Sequence, residues 1–149
     1  MRARTFLTTL ASGIAIIGGF VFADSTTSVV VASDLQHHRW ILESINGEPI
    51  PADDDDGMIP ELDFGEQMYV EGNTGCNRMS GRAELHDGLF LIPAMATTRR
   101  PCSTARNEVE RTVYGVLANE SKISLDEDKI LTLTSGNVVL RFRLQDWVG

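Results

Sequence analysis

From Leu131 to Leu144 the chain carries a two-residue period with a turn in its middle. Leu131 and Leu133 alternate with Thr132 and Thr134, and Ser135-Gly136-Asn137 reverses direction. Val138, Leu140, Phe142 and Leu144 then alternate with Arg141 and Arg143. Successive side chains of a strand point to opposite faces, so this pattern dictates a hairpin with one buried and one wet face. Weaker versions of the signal precede it. Trp40, Leu42 and Ile45 lie in an extended stretch ended by Asn46-Gly47, and Leu62 and Phe64 share a face in Glu61 to Phe64. Gln67 to Glu71 reads as a strand. Met79 to Leu85 and Leu89 to Ile92 flank the turn His86-Asp87-Gly88.

One segment breaks the period. Val109, Val113, Val116 and Leu117 are spaced i, i+4, i+7, i+8, which is one face of a helix. Ser103 or Thr104 is placed to cap its start, with Asn107 as a later start, and Glu108 and Glu110 complement the helix dipole. Six to eight short strands with one helix between late strands make a β-rich α+β domain.

The chain has 149 residues, about one domain. Its 42% apolar and 23% charged content is that of a globular protein. A net charge of −8, with eleven Arg and two Lys, excludes the basic face of a nucleic-acid binder and disfavours docking on an anionic membrane.

Residues 1–23 have the form of a secretory signal. Arg2 and Arg4 precede an uncharged apolar run from Phe6 to Ala23, and Val21 and Ala23 sit at −3 and −1 of a cleavage point before Asp24. A retained anchor is the competing reading. There is no Cys at the junction for a lipid anchor. Cleavage takes the charge from −8 to −10 and implies a periplasmic or secreted protein that meets the membrane only during export. Residues 24–36 read as a linker and 37–146 as the domain. In an oxidising compartment the pair Cys76 and Cys102 reads as a disulfide closing a loop of about 27 residues.

Catalytic and metal readings find little support. Aligning Gly57 with the central glycine of a calcium loop puts Ala52 at the first ligand position and Pro60 inside the loop, so Asp53-Asp54-Asp55-Asp56 reads as a solvated acidic loop. No C-x-x-C or spaced His set suits zinc. A thiol enzyme would need His86 beside Cys76 or Cys102, but His86 falls in a turn and the thiols pair with each other. Ser80 lacks a nucleophile elbow, and Gly72 and Gly75 form no phosphate loop. Arg99, Arg100, Arg106 and Arg111 cluster around the second cysteine and read as partners for the chain's own acids, with an anion site as the alternative. No catalytic residue, metal ligand or cofactor site is assigned.

Four segments together resemble a known family. They are Trp40-x-Leu42 with Asn46-Gly47; Gly72-x-x-Gly75-Cys76-Asn77-Arg78-x-x-Gly81; Met95-Ala96-Thr97-Thr98-Arg99-x-x-Cys102; and a helix opening with Glu108 or Glu110. The chain is similar here to the META domain family, which includes HslJ-type heat-shock proteins of bacterial envelopes. The resemblance implies a small antiparallel sheet or partial barrel packed on one helix. It further implies a non-enzymatic role in envelope stress tolerance, exerted through an unknown envelope partner or a ligand, and a monomer is expected. It also implies structural or partner-facing roles for the motif. Gly72, Gly75 and Gly81 would allow turns, Asn77 would bond its own backbone, and Arg78 and Met95 belong to the same motif. Cys76–Cys102 would tie the turn to the segment before the helix, with Thr97 and Arg99 bonding across that junction. The alternative is a carrier of a small apolar ligand inside the partial barrel, and Trp40, Phe64, Phe90, Val113 and Phe142 are expected to fill that space rather than line it.

Overall fold

The computed structural model describes residues 29–50 and 58–145. Residues 1–23, read above as an export signal, the four-Asp loop and Asp146 to Gly149 lie outside the described residues. Eleven strands follow one another in the chain: β1 (Arg39–Ile45), β2 (Glu48–Pro49), β3 (Glu61–Phe64), β4 (Tyr69–Asn73), β5 (Arg78–Arg82), β6 (Glu84–His86), β7 (Leu89–Leu91), β8 (Ala96–Thr97), β9 (Ser121–Leu125), β10 (Ile130–Ser135) and β11 (Val138–Gln145). A four-residue helix α1 (Ala32–Leu35) precedes them, and α2 (Thr104–Leu117) stands between β8 and β9.

The strands form one antiparallel sheet in the order β6-β7-β9-β10-β11-β1-β3-β4-β5-β8, with β2 on β1. β5 and β6 lie near opposite ends of this order, yet only Ala83 separates them in the chain. The sheet must therefore curl until its ends meet, which makes a half-barrel closed by one bent strand. At the bend the Ala83 N–H donates to Met68 O at 2.8 Å. The sequence reading of Met79 to Leu85 as one strand is corrected here: Arg82 is the last residue paired with β4, and Glu84 the first paired with β7.

The C-terminal hairpin forms as the alternation dictates. Ser135 pairs with Val138 and Leu131 with Phe142. Leu131, Leu133, Leu140 and Phe142 are buried, whereas Arg141 and Arg143 are exposed. The strand expected from Gln67 begins two residues later. Gln67 (φ 51°) and Met68 (φ 60°) are left-handed, a one-turn 3-10 helix closes with the Tyr69 N–H on Glu66 O, and the Gly65 N–H donates to Tyr69 O at 2.8 Å across the turn. β8 and β9 carried no clear periodic signal. β8 is two residues long, and β9 starts directly after the helix.

Helix α2 starts where Ser103 caps it, the Ser103 Oγ accepting from the Arg106 N–H at 3.3 Å. It lays Val113, Val116 and Leu117 against β7, β10 and β11. Burying each such side chain is worth about 1.5–3 kcal/mol. Trp40, Phe64, Phe90, Val113 and Phe142 all belong to the buried core, so side chains occupy the interior of the half-barrel. Val30 and Leu35 are buried in the same cluster, so the second half of the segment read as a linker is packed onto the domain.

Candidate functional site

The Gly72 to Gly81 motif builds a polar knot between the sheet and α2. β4 ends at Asn73 and β5 begins at Arg78, and the four residues between them are buried. Gly75 takes φ +112°, and a side chain there would also press within 2.9 Å of Val109 on α2. The turn is closed by the Thr74 N–H on Asn77 O at 3.0 Å and by the Gly75 N–H on Asn73 Oδ1 at 3.1 Å.

Asn77 is the centre of the knot. Its Nδ2 donates to both carboxylate oxygens of Glu110 on α2, at 2.8 and 2.9 Å. Its Oδ1 accepts from the Arg100 N–H at 2.8 Å and from the Thr98 hydroxyl at 3.1 Å. The Thr98 Oγ1 in turn accepts from the Arg78 N–H at 3.1 Å. Arg100 Nε donates to Cys76 O at 2.8 Å. The Cys76–Cys102 disulfide, with Cα atoms 6.2 Å apart, adds a covalent tie to the segment leading into α2.

Several expected roles move by one residue or change in kind. Thr98 and Arg100, not Thr97 and Arg99, bond across the junction. The Asn77 side chain reaches two other segments, α2 and the stretch before it, rather than its own backbone. Gly72 and Gly81 are strand residues outside the left-handed region, and they are small because neighbours crowd them. A Cβ on Gly72 would stand 2.0 Å from Glu61 O across the β3–β4 pair. Met95 packs against the core, and Arg99 is exposed. Of the arginine cluster, Arg106 is buried and donates to Met58 O at 3.2 Å, which ties α2 to the chain entering β3. Buried polar side chains inside such a network specify one packing of the elements they join.

A second feature lies on the outer face of the same strands. An open cleft of about 500 Å³ is lined by residues of β3, β4, β5 and β8 together with Met58 and Thr98. Glu61 and Asp63 alternate with the buried Leu62 and Phe64, and so face outward into it. Arg39 holds Glu61 at 2.7 Å, and that hydrogen bond raises the Arg39 pKa further above its ordinary value, against the opposing effect of burial. Asp63 stands directly opposite Glu71 across β3–β4. Arg78 and Ser80 form the β5 wall. The alternation of Glu61 to Phe64 puts Leu62 and Phe64 on one face, but nothing in one strand's pattern signals which other strands will meet the opposite face. Among the described residues no group of three or more His, Cys, Asp or Glu side chains is arranged to hold a metal ion, and no helix is long and apolar enough to cross a membrane.

A curled antiparallel half-barrel, plugged by one helix that a Cys-Asn turn locks in place, defines a class of small β-rich domains. The sequence profile of the META domain matches residues 33–147, and the chain belongs to the META domain family. Its relatives include the heat shock protein HslJ of Escherichia coli strain K12, which is 36% identical over 118 residues, covering 78% of this chain and 81% of that protein. A protein solved by NMR shares 35% identity with a TM-score of 0.68, covering 80% of this chain and 99% of its own. A second NMR structure, of a protein from Burkholderia xenovorans, has a TM-score of 0.66 at 19% identity, covers 95% of this chain and 100% of its own, and shows the shared fold.

Proposed function

We propose that this chain is an exported, non-enzymatic member of the family that supports stress tolerance in the cell envelope by binding a partner or ligand. The observation that carries the reading is the Cys76–Cys102 disulfide within the Asn77 knot. A disulfide persists in an oxidising compartment, and the N-terminal segment has the form of an export signal. The kinship with a heat shock protein supports the stress role. Both sulfurs are spent on the crosslink, which leaves no thiolate for nucleophilic chemistry.

The test is genetic. Deleting the gene in its own host and plating after a heat challenge is expected to lower survival. The full chain should restore it, and the same chain without residues 1–23 should not. Equal rescue by the leaderless chain would contradict the envelope role. Turnover of a substrate that vanishes on changing one polar residue would contradict the non-enzymatic one.

A further inference from the structure

Asn46-Gly47 is the one Asn-Gly pair in the chain. Glycine after asparagine leaves the following backbone nitrogen unhindered by a side chain. The pair forms the two-residue loop between β1 and β2, where Ile45 pairs with Glu48. Asn46 takes φ 53° and Gly47 φ 83°, the left-handed pair of a type I′ turn. Both residues are exposed, and a carbon built on Gly47 would meet no atom within 4 Å. Crowding therefore does not shield the Gly47 nitrogen.

Two hydrogen bonds hold the asparagine instead. Its N–H donates to Val139 O at 2.8 Å, and its Oδ1 accepts from the Val139 N–H at 2.8 Å. The side chain thus extends the β1–β11 ladder past the pair Ile45 and Leu140. Bound to β11, it is not free to turn toward Gly47. The other asparagines precede Thr74, Arg78, Glu108, Glu120 and Val138, whose side chains hinder the same approach. Asn73 and Asn77 are also buried.

We infer that Asn46 is a covalent modification site, where spontaneous deamidation is held back by the bonds to Val139. When those bonds open, the Gly47 backbone nitrogen loses its proton to water and attacks the Asn46 Cγ. The new N–Cγ bond closes a five-membered succinimide, and the Cγ–Nδ2 bond breaks with loss of ammonia. Water then opens the ring. Cleavage of the N–Cγ bond gives an aspartyl residue. Cleavage of the bond from that nitrogen to the main-chain carbonyl gives an isoaspartyl residue, whose backbone runs through Cγ. The aspartyl carboxylate can still accept from the Val139 N–H. The isoaspartyl link adds a carbon to the loop backbone, and a two-residue loop fixes the register of its strands, so β2 loses its pairing with β1. Opening precedes attack, so heat speeds the reaction more in the folded protein than in a free peptide. The inference rests on the turn alone and is independent of the binding role proposed above.

The experiment holds the oxidised protein at mildly alkaline pH over a range of temperatures below its melting midpoint, beside a synthetic peptide of residues 43–49. Peptide mass mapping is expected to find a gain of about 1 Da at Asn46 before any other asparagine, roughly tenfold or more slower than in the free peptide. Isomerisation at Asp87-Gly88 changes no mass and is not confused with it. Exchange of the Val139 amide hydrogen reports the opening, and its rate should rise with temperature in step with the modification. Asn46→Asp should melt with the parent protein, and the separated isoaspartyl form below it. Modification as fast as in the peptide, an earlier mark at another asparagine, or Val139 exchange that does not follow the modification would each overturn the inference. An isoaspartyl form that melts with the parent would overturn its structural consequence.

Discussion

The side-chain amide of Asn77 donates to both carboxylate oxygens of Glu110, at 2.8 and 2.9 Å, across 33 residues of sequence. The contact joins the turn after β4 to the middle of α2. The same amide's oxygen collects the Arg100 N–H and the Thr98 hydroxyl, so one side chain sets the position of three segments. Hydrogen bonds to a charged group are worth about 1.5–3 kcal/mol each when net effects are measured.

Asn77→Ala therefore removes the side chain that bridges Glu110, Thr98 and Arg100 and leaves the Glu110 carboxylate without its amide donor. The expected loss is about 2–4 kcal/mol, read as a lower denaturant midpoint at unchanged slope. Asn77→Asp should cost more, because it sets a second carboxylate against Glu110. A loss below about 0.5 kcal/mol for both would show that the knot is not a fastening.

Reducing the Cys76–Cys102 bond should lower stability by about 3–4 kcal/mol through the freed loop of the unfolded chain. Paired denaturation curves with and without reductant give the value. Because the disulfide and Asn77 fasten the same junction, their effects should be non-additive, and a double-mutant cycle with Cys76→Ser, Cys102→Ser measures the coupling.

Gly72→Ala is expected to destabilise by about 3 kcal/mol or to prevent folding, since the added carbon meets Glu61 O at 2.0 Å and neither backbone can retreat without breaking β3–β4. Gly115→Ala should act in the other direction. Gly115 lies in α2 at ordinary φ with no atom within 4 Å of the added carbon, so the change should stabilise by about 0.5–1 kcal/mol. Thermal melts of the two variants check opposite signs on one scaffold.

The C-terminal hairpin and α2 could be read from the sequence because their patterns are local. Leu131 to Leu144 alternates over two strands, and Val109 to Leu117 marks one helical face. The bend at Ala83 could not be read, because apolar alternation continues across it and only the change of partner strand ends β5. The motif residues were legible as a group. Their bonds were not, because Thr97 and Thr98, like Arg99 and Arg100, are adjacent and alike, and which of each pair faces Asn77 depends on the path of β8. The cleft was invisible for a related reason. It exists only where β3, β4, β5 and β8 come side by side, and the turn of the sheet brings together carboxylates, an amide and a guanidinium from distant strands.

The central claim is an exported domain locked by its disulfide. The most direct measurement is the intact mass of the protein recovered from its own host without reductant. The account predicts a chain beginning at Asp24 whose mass is about 2 Da below that of the reduced sequence, the loss of two hydrogens at Cys76 and Cys102. A full-length chain starting at Met1 or Arg2 with both thiols reduced would contradict it.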